Sequence, residues 1–143
     1  MADSALQAEL YRAIPLLAAM QVKVVQASEQ GVTLAAPLEA NRNDKGTAFA
    51  GSIGSLATVT GWCLASQLLP EAASIVAQET AIRYLKPIDD KFVAVCQTPD
   101  TDAVARFRQH FSRRGLARIE LTVQVLSGGE LGAELSGRYV ASR

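Results

Sequence analysis

The sequence predicts an α+β domain in which a curled antiparallel sheet of about six strands wraps one long apolar helix. Three observations carry this. From Gly46 to Pro70 there is no charged residue, although 20% of the chain is Asp, Glu, Lys or Arg. From Ala117 to Val125 apolar and polar residues alternate with period two, the mark of a strand with one buried and one wet face. The remaining apolar segments are short and separated by turns of hairpin length, which favours antiparallel pairing.

The uncharged run comes first because it demands enclosure. From Ser52 onward it is long enough for a helix of ~27 Å at ~1.5 Å per residue, and Pro70 stops it. Gly54, Thr58, Gly61 and Ala65 recur at steps of four, three and four and line one face with small residues; Ile53, Leu56, Val59, Leu64 and Leu68 supply bulk elsewhere. A helix apolar on all sides is enclosed on all sides. A lipid enclosure is the poorer reading: Ser, Thr and Gln are numerous in the run, and aromatic or basic belts are missing at its ends. No membrane span is expected.

The other elements follow in order. Leu6, Leu10 and Ile14, spaced by four, predict a helix over Ser4 to Ile14, closed by Pro15. A strand is expected from Leu17 to Ala27, then a turn at Gly31 and a second strand through Val32, Leu34 and Ala36. Beyond the central helix, Ser74 to Lys86 is rich in β-formers and ends at Pro87, and the Asp89-Asp90 turn leads to a strand from Phe92 to Thr98. A third helix is capped by Asp100 or Thr101, carries Val104, Phe107 and Phe111 on one face, and ends at Gly115. The Ser127 to Glu130 turn joins the alternating strand to a last one, with Leu131, Ala133, Leu135, Gly137 and Tyr139 on one face. No repeat or linker divides the chain, so residues 1–143 form one domain.

Composition narrows the function. Fourteen basic and fourteen acidic residues cancel, which gives no global case for a nucleic-acid partner. Local charge gathers only at Arg106, Arg108, His110, Arg113, Arg114 and Arg118, and base-stacking aromatics are not interleaved there. Cys63 and Cys96 lie in apolar segments and His110 is the single histidine, so no metal site is expected and both thiols read as reduced core residues. The N-terminal MADSALQAELYRA has no basic region followed by an apolar one, which makes the cytoplasm the expected compartment.

The text N-x-N-x-x-G-T-A-F-x-G-S from Asn41 to Ser52, the Gly61-Trp62 pair, I-R-Y-L-K-P at Ile82 to Pro87, F-S-R-R-G-L-A-R-I at Phe111 to Ile119 and G-R-Y-V-A at Gly137 to Ala141 belong together. In place and spacing they resemble the hotdog-fold thioesterase-like domain attached, in some bacterial proteins, to a GNAT-type acetyltransferase (the YiiD C-terminal type). The resemblance covers nearly the whole chain. It implies an acyl-thioester substrate, carried by coenzyme A or a carrier protein, with no cofactor besides the coenzyme A or phosphopantetheine of the substrate. It also implies at least a homodimer.

Thioester hydrolysis puts negative charge on the carbonyl oxygen, which needs a donor. Gly46, Gly51 and Ser52 allow close backbone approach at the positive end of the buried helix, and the Gly51 N–H, with Ser52 beside it, is the expected oxyanion donor. Asn41 and Asn43 are candidates to hold the water or the acyl carbonyl, with Thr47 and Phe49 counted as substrate contacts in the same text. All of these except Phe49 are also ordinary turn and cap formers. Many hotdog thioesterases resemble one another in a His-Gly-Gly step and a helix carboxylate; the aligned positions here carry Phe49 and Thr58. The base is therefore sought among Asp44, Glu39 and Glu79, with Thr58 or Ser55 as hydrogen-bonding partners of water or substrate. Arg113 and Arg114, beside Gly115, are the phosphate candidates. A non-catalytic acyl-thioester or fatty-acid binding module is the alternative.

Overall fold

A computed structural model describes residues 3–70 and 73–143 of the chain. Helix α1 spans Asp3–Ala13 and α2 spans Pro15–Ala19; strands β1 (Lys23–Ser28) and β2 (Gly31–Ala36) form the first hairpin. A 3-10 turn over Glu39–Asn41 leads to the central helix α3, Ala50–Gln67. Then come β3 (Ser74–Tyr84), β4 (Phe92–Gln97), α4 (Thr101–Arg114), β5 (Leu116–Ser127) and β6 (Glu130–Ser142).

The six strands make one antiparallel sheet in the order β1-β2-β4-β5-β6-β3. α3 packs against all six of them, and its Leu56, Ala57, Leu64 and Ala65 are fully buried in the same core as Leu34, Phe92, Val123, Leu135 and Tyr139. This is the hotdog arrangement. β5 alternates buried and exposed residues as the period-two pattern requires, and β6 from Ala133 onward alternates buried residues with partly or fully exposed ones. α4 begins at Asp100, whose side chain accepts from the Ala103 N–H at 2.8 Å, and ends at Gly115 in the left-handed region with φ 68°. No helix among the described residues is long and apolar enough to cross a membrane.

Two segments differ from the sequence expectation. Pro15 does not simply close a helix: it starts α2, because a proline in the first turn lacks only an N–H that has no helical acceptor anyway. The strand expected from Leu17 accordingly begins at Lys23, after Gln21 turns the chain with φ 57°. The apolar Leu17, Met20 and Val22 are buried all the same, on α2 and in the connection from it to β1. The second difference concerns β3 and β4, which are consecutive in sequence yet not neighbours: β3 pairs with β6, and β4 lies between β2 and β5. β3 is thus an edge of the sheet.

Candidate active site

α3 starts without a side-chain cap. Phe49 occupies the cap position with extended backbone (φ −67°, ψ 132°), and its carbonyl accepts from the N–H groups of Ser52 and Ile53, both at 3.0 Å. Among the described residues the Ala50 and Gly51 N–H groups find no acceptor. The helix therefore offers two free donors and its positive dipole end at one point. Ser52, expected beside Gly51, has its N–H already engaged.

Ala50 and Gly51 both line an apolar groove of about 610 Å³. Its floor is the small-residue face of α3: Gly51, Gly54, Ser55 and Thr58, ending at Trp62. One side is β3, through Ile75, Ala77, Thr80, Ile82 and Tyr84; the other is Ile14, Leu16 and Leu17 around α2. The face grouped from sequence divides in two. Gly54 and Thr58 look into the groove, whereas Gly61 is buried against the Tyr139 ring, where a Cβ would stand 2.6 Å from Cζ.

Hydroxyls on α3 also divide. Thr60 donates to the Leu56 carbonyl at 2.7 Å and Ser66 to that of Trp62 at 3.0 Å, the usual back-bond of a helical hydroxyl. Ser55 and Thr58, on the groove, make no such bond. Their hydroxyls remain available to whatever fills it. Tyr84, which the sequence reading passed over inside the I-R-Y-L-K-P text, stands at the groove mouth and donates to the Ala50 carbonyl at 3.2 Å.

The preceding loop is built by residues expected to touch substrate. The Asn41 side chain is buried, and its amide donates to the carbonyls of Met20 (2.9 Å) and Pro37 (2.8 Å); its Oδ1 has no partner. Asn43 clamps the turn: its Oδ1 accepts from the N–H groups of Lys45 and Thr47, and its amide donates to Thr47 Oγ1 at 2.9 Å. Gly46 is required by its φ of 80°, a conformation that favours glycine. Phe49 is exposed, with its ring folded over Gly51. Asn41, Asn43, Gly46 and Thr47 thus hold the helix start in place and do not line the groove.

The carboxylate candidates lie elsewhere. Asp44 is exposed and paired with Lys45 at 3.1 Å, and Glu39 is exposed and paired with Arg42 at 3.2 Å. Glu79 sits on the outer face of the sheet near Arg138, which it approaches to 3.8 Å and which is also bound by Glu120. A β-bulge between Ala77 and Glu79 sets this: it shifts the alternation so that Ala77, Thr80 and Ile82 all face the groove. Arg113 and Arg114 are exposed on the last turn of α4 and do not line the groove. No Asp, Glu, His, Lys or Arg does so among the described residues.

Cys63 and Cys96 are buried and free, and burial pushes each thiol up to about 12, so neither is a thiolate near neutrality. No cluster of His, Cys, Asp or Glu among the described residues could hold a metal.

Comparison with known proteins adds the family. The model of the family described as "Putative thioesterase (yiiD_Cterm)" matches residues 3–143. A Chlorobaculum tepidum protein of unknown function superposes with a TM-score of 0.87 at 28% identity, over 99% of this chain and 94% of that one. A "putative thioesterase" from Shewanella oneidensis gives 0.81 at 30% identity, over 99% and 97%. A Haemophilus influenzae thioesterase shares the fold at 12% identity, with a TM-score of 0.79 over 99% and 90%.

Proposed function

Because the chain belongs to the family described as "Putative thioesterase (yiiD_Cterm)", we propose that it is an acyl-thioesterase of the cytoplasm that hydrolyses an acyl-CoA or acyl-carrier-protein thioester. The observation that carries this reading is the pair of free N–H groups at Ala50 and Gly51, standing at the mouth of an apolar groove. The acyl chain lies in the groove with its carbonyl oxygen at the Gly51 N–H. Water adds to the carbonyl carbon and the charge that develops on oxygen is taken by the helix end. The carbon–sulfur bond then breaks, the thiolate takes up a proton, and the free acid leaves.

Thr58 and Ser55 orient the water or the thioester through their unbonded hydroxyls. They act as hydrogen-bonding groups, since neither ionises at neutral pH. Asn43 acts by holding the loop, and Tyr84 by fixing the groove mouth from β3. The site is proposed to be completed in a homodimer: β3 is an unpaired sheet edge, 11 residues long, that forms one side of the groove.

The charge-free lining favours one second reading, a module that binds acyl thioesters or fatty acids without turning them over. Thiol release from an acyl-CoA series separates the two. In Thr58→Val, which keeps the shape and removes the hydroxyl, kcat is expected to fall ~10- to 100-fold, the worth of one lost hydrogen bond, with KM little changed. Asp44→Ala is expected to keep full turnover. Binding without thiol release at any chain length would establish the module and overturn the enzyme.

A further inference from the structure

Trp62 is the single large side chain that α3 contributes to the groove beyond Val59. The floor ahead of it is small, with Gly51, Gly54, Ser55 and Thr58 following one another at turn spacing. One turn beyond it the helix carries Ser66, small and only partly buried, while Ala65 beside it is packed into the core. The indole does not hang free: its N–H donates to the Ile75 carbonyl of β3 at 2.8 Å, so the ring is tied from the floor to the side of the channel. A side chain fixed across a channel at both ends blocks it.

We propose that Trp62 is the end wall of the acyl groove and sets the longest acyl chain that the site accepts; this rests on the thioesterase reading above. The length follows from the helix. Trp62 lies eleven residues beyond Gly51, or ~16 Å at ~1.5 Å per residue. An extended alkyl chain advances ~1.25 Å per carbon, given a ~1.52 Å bond and a ~111° angle. The indole leans back toward the helix N-terminus and shortens the run, which leaves room for about ten to twelve carbons from the carbonyl. The substrate class is a medium-chain acyl thioester. Past Thr80 and Thr58 the only side-chain donor or acceptor in the lining is the Trp62 indole N–H, already held by Ile75, so nothing there meets a polar chain terminus and the chain is unsubstituted at its far end.

The test uses two readouts on the full chain with straight acyl groups from butanoyl to octadecanoyl: thiol release from acyl-CoA, and calorimetric binding of the matching non-hydrolysable thioether analogues. Affinity is expected to rise up to about fourfold per methylene, the worth of burying one, until about twelve carbons, and to rise no further. Trp62→Ala opens the groove onto the next helical turn, ~5.4 Å, and moves this limit outward by about four carbons; the hexadecanoyl to decanoyl preference then rises at least tenfold. Trp62→Leu moves it the same way by less and serves if the alanine variant is unfolded by circular dichroism. Trp62→Phe keeps a ring in place and is expected to keep the limit. An unmoved limit in a folded alanine or leucine variant overturns the proposal. So does a wild-type protein that binds every length equally or binds none. A shift seen with the thioethers while no thioester is hydrolysed leaves the wall standing and removes the enzyme; hydrolysis with an unmoved limit does the reverse.

Discussion

A Cβ on Gly51 would stand 2.5 Å from the Phe49 ring, closer than real side chains approach. The glycine therefore serves two ends: its N–H is left unbonded, the donor proposed above for the oxyanion, and its bare Cα makes room for the ring that folds over the helix start. Gly51→Ala is expected to displace the ring, at little cost in stability because Phe49 is exposed and free to swing away, and to lower kcat/KM about tenfold. Phe49→Ala added to it removes the clash and recovers most of the loss. A double-mutant cycle on kcat/KM checks this, and simple additivity would refute it. Gly51 could be singled out in the sequence because a glycine at the start of an apolar helix lets a ligand approach the backbone, a use it shares with ordinary turn glycines. Asn41 and Asn43, read as holders of the water or the acyl carbonyl, and Asp44, read as a base, do not line the groove: the same side chains build turns, and a sequence does not say which way they point. Tyr84 was invisible for a related reason, since its place at the groove mouth depends on a strand folded in from 34 residues beyond Ala50.

At the scale of the element, α3 was legible almost to its ends. Its lack of charge announced burial, but a helix apolar all round does not reveal which face meets sheet and which meets groove. Tyr139 decides: it fills the space opposite Gly61, and its hydroxyl donates to the Thr58 carbonyl at 2.8 Å. In an unpacked helix Gly→Ala stabilises by about 1 kcal/mol. Here the sign is expected to reverse, with Gly61→Ala losing ~1 to 3 kcal/mol as Tyr139 is pushed out; urea unfolding reads it, and a stabilised variant would show that the ring has room. β3 teaches the same lesson for strands. Its richness in β-formers was read correctly as a strand, yet the bulge at Gln78 turned Glu79 to the outer face, and a single extra residue leaves no mark on composition.

Across the whole molecule the open question of shape is the β3 edge. Long exposed edges with apolar side chains recruit partners, and this one shows Val76 and Tyr84 about half exposed. In the proposed homodimer two such edges pair about a twofold axis, so that each copy meets the same strand of the other. Ala81, exposed on β3, tests it: Ala81→Asp sets like charges close together across the axis and is expected to shift the protein toward monomer in sedimentation equilibrium, with turnover falling in parallel. A wild-type protein that sediments as a monomer would refute the dimer outright. The order of pairing has one more consequence, for the chain in time. β3 closes only on β6, Ser74 against Ser142 and Tyr84 against Ala133, and β5, which also covers α3, precedes β6 by a single turn. During synthesis the most apolar segment leaves the ribosome before four of the six strands that will cover it. Contacts this distant in sequence are slow to form, and until they do the bare helix is the part of the nascent chain that chaperones or neighbouring chains will meet first.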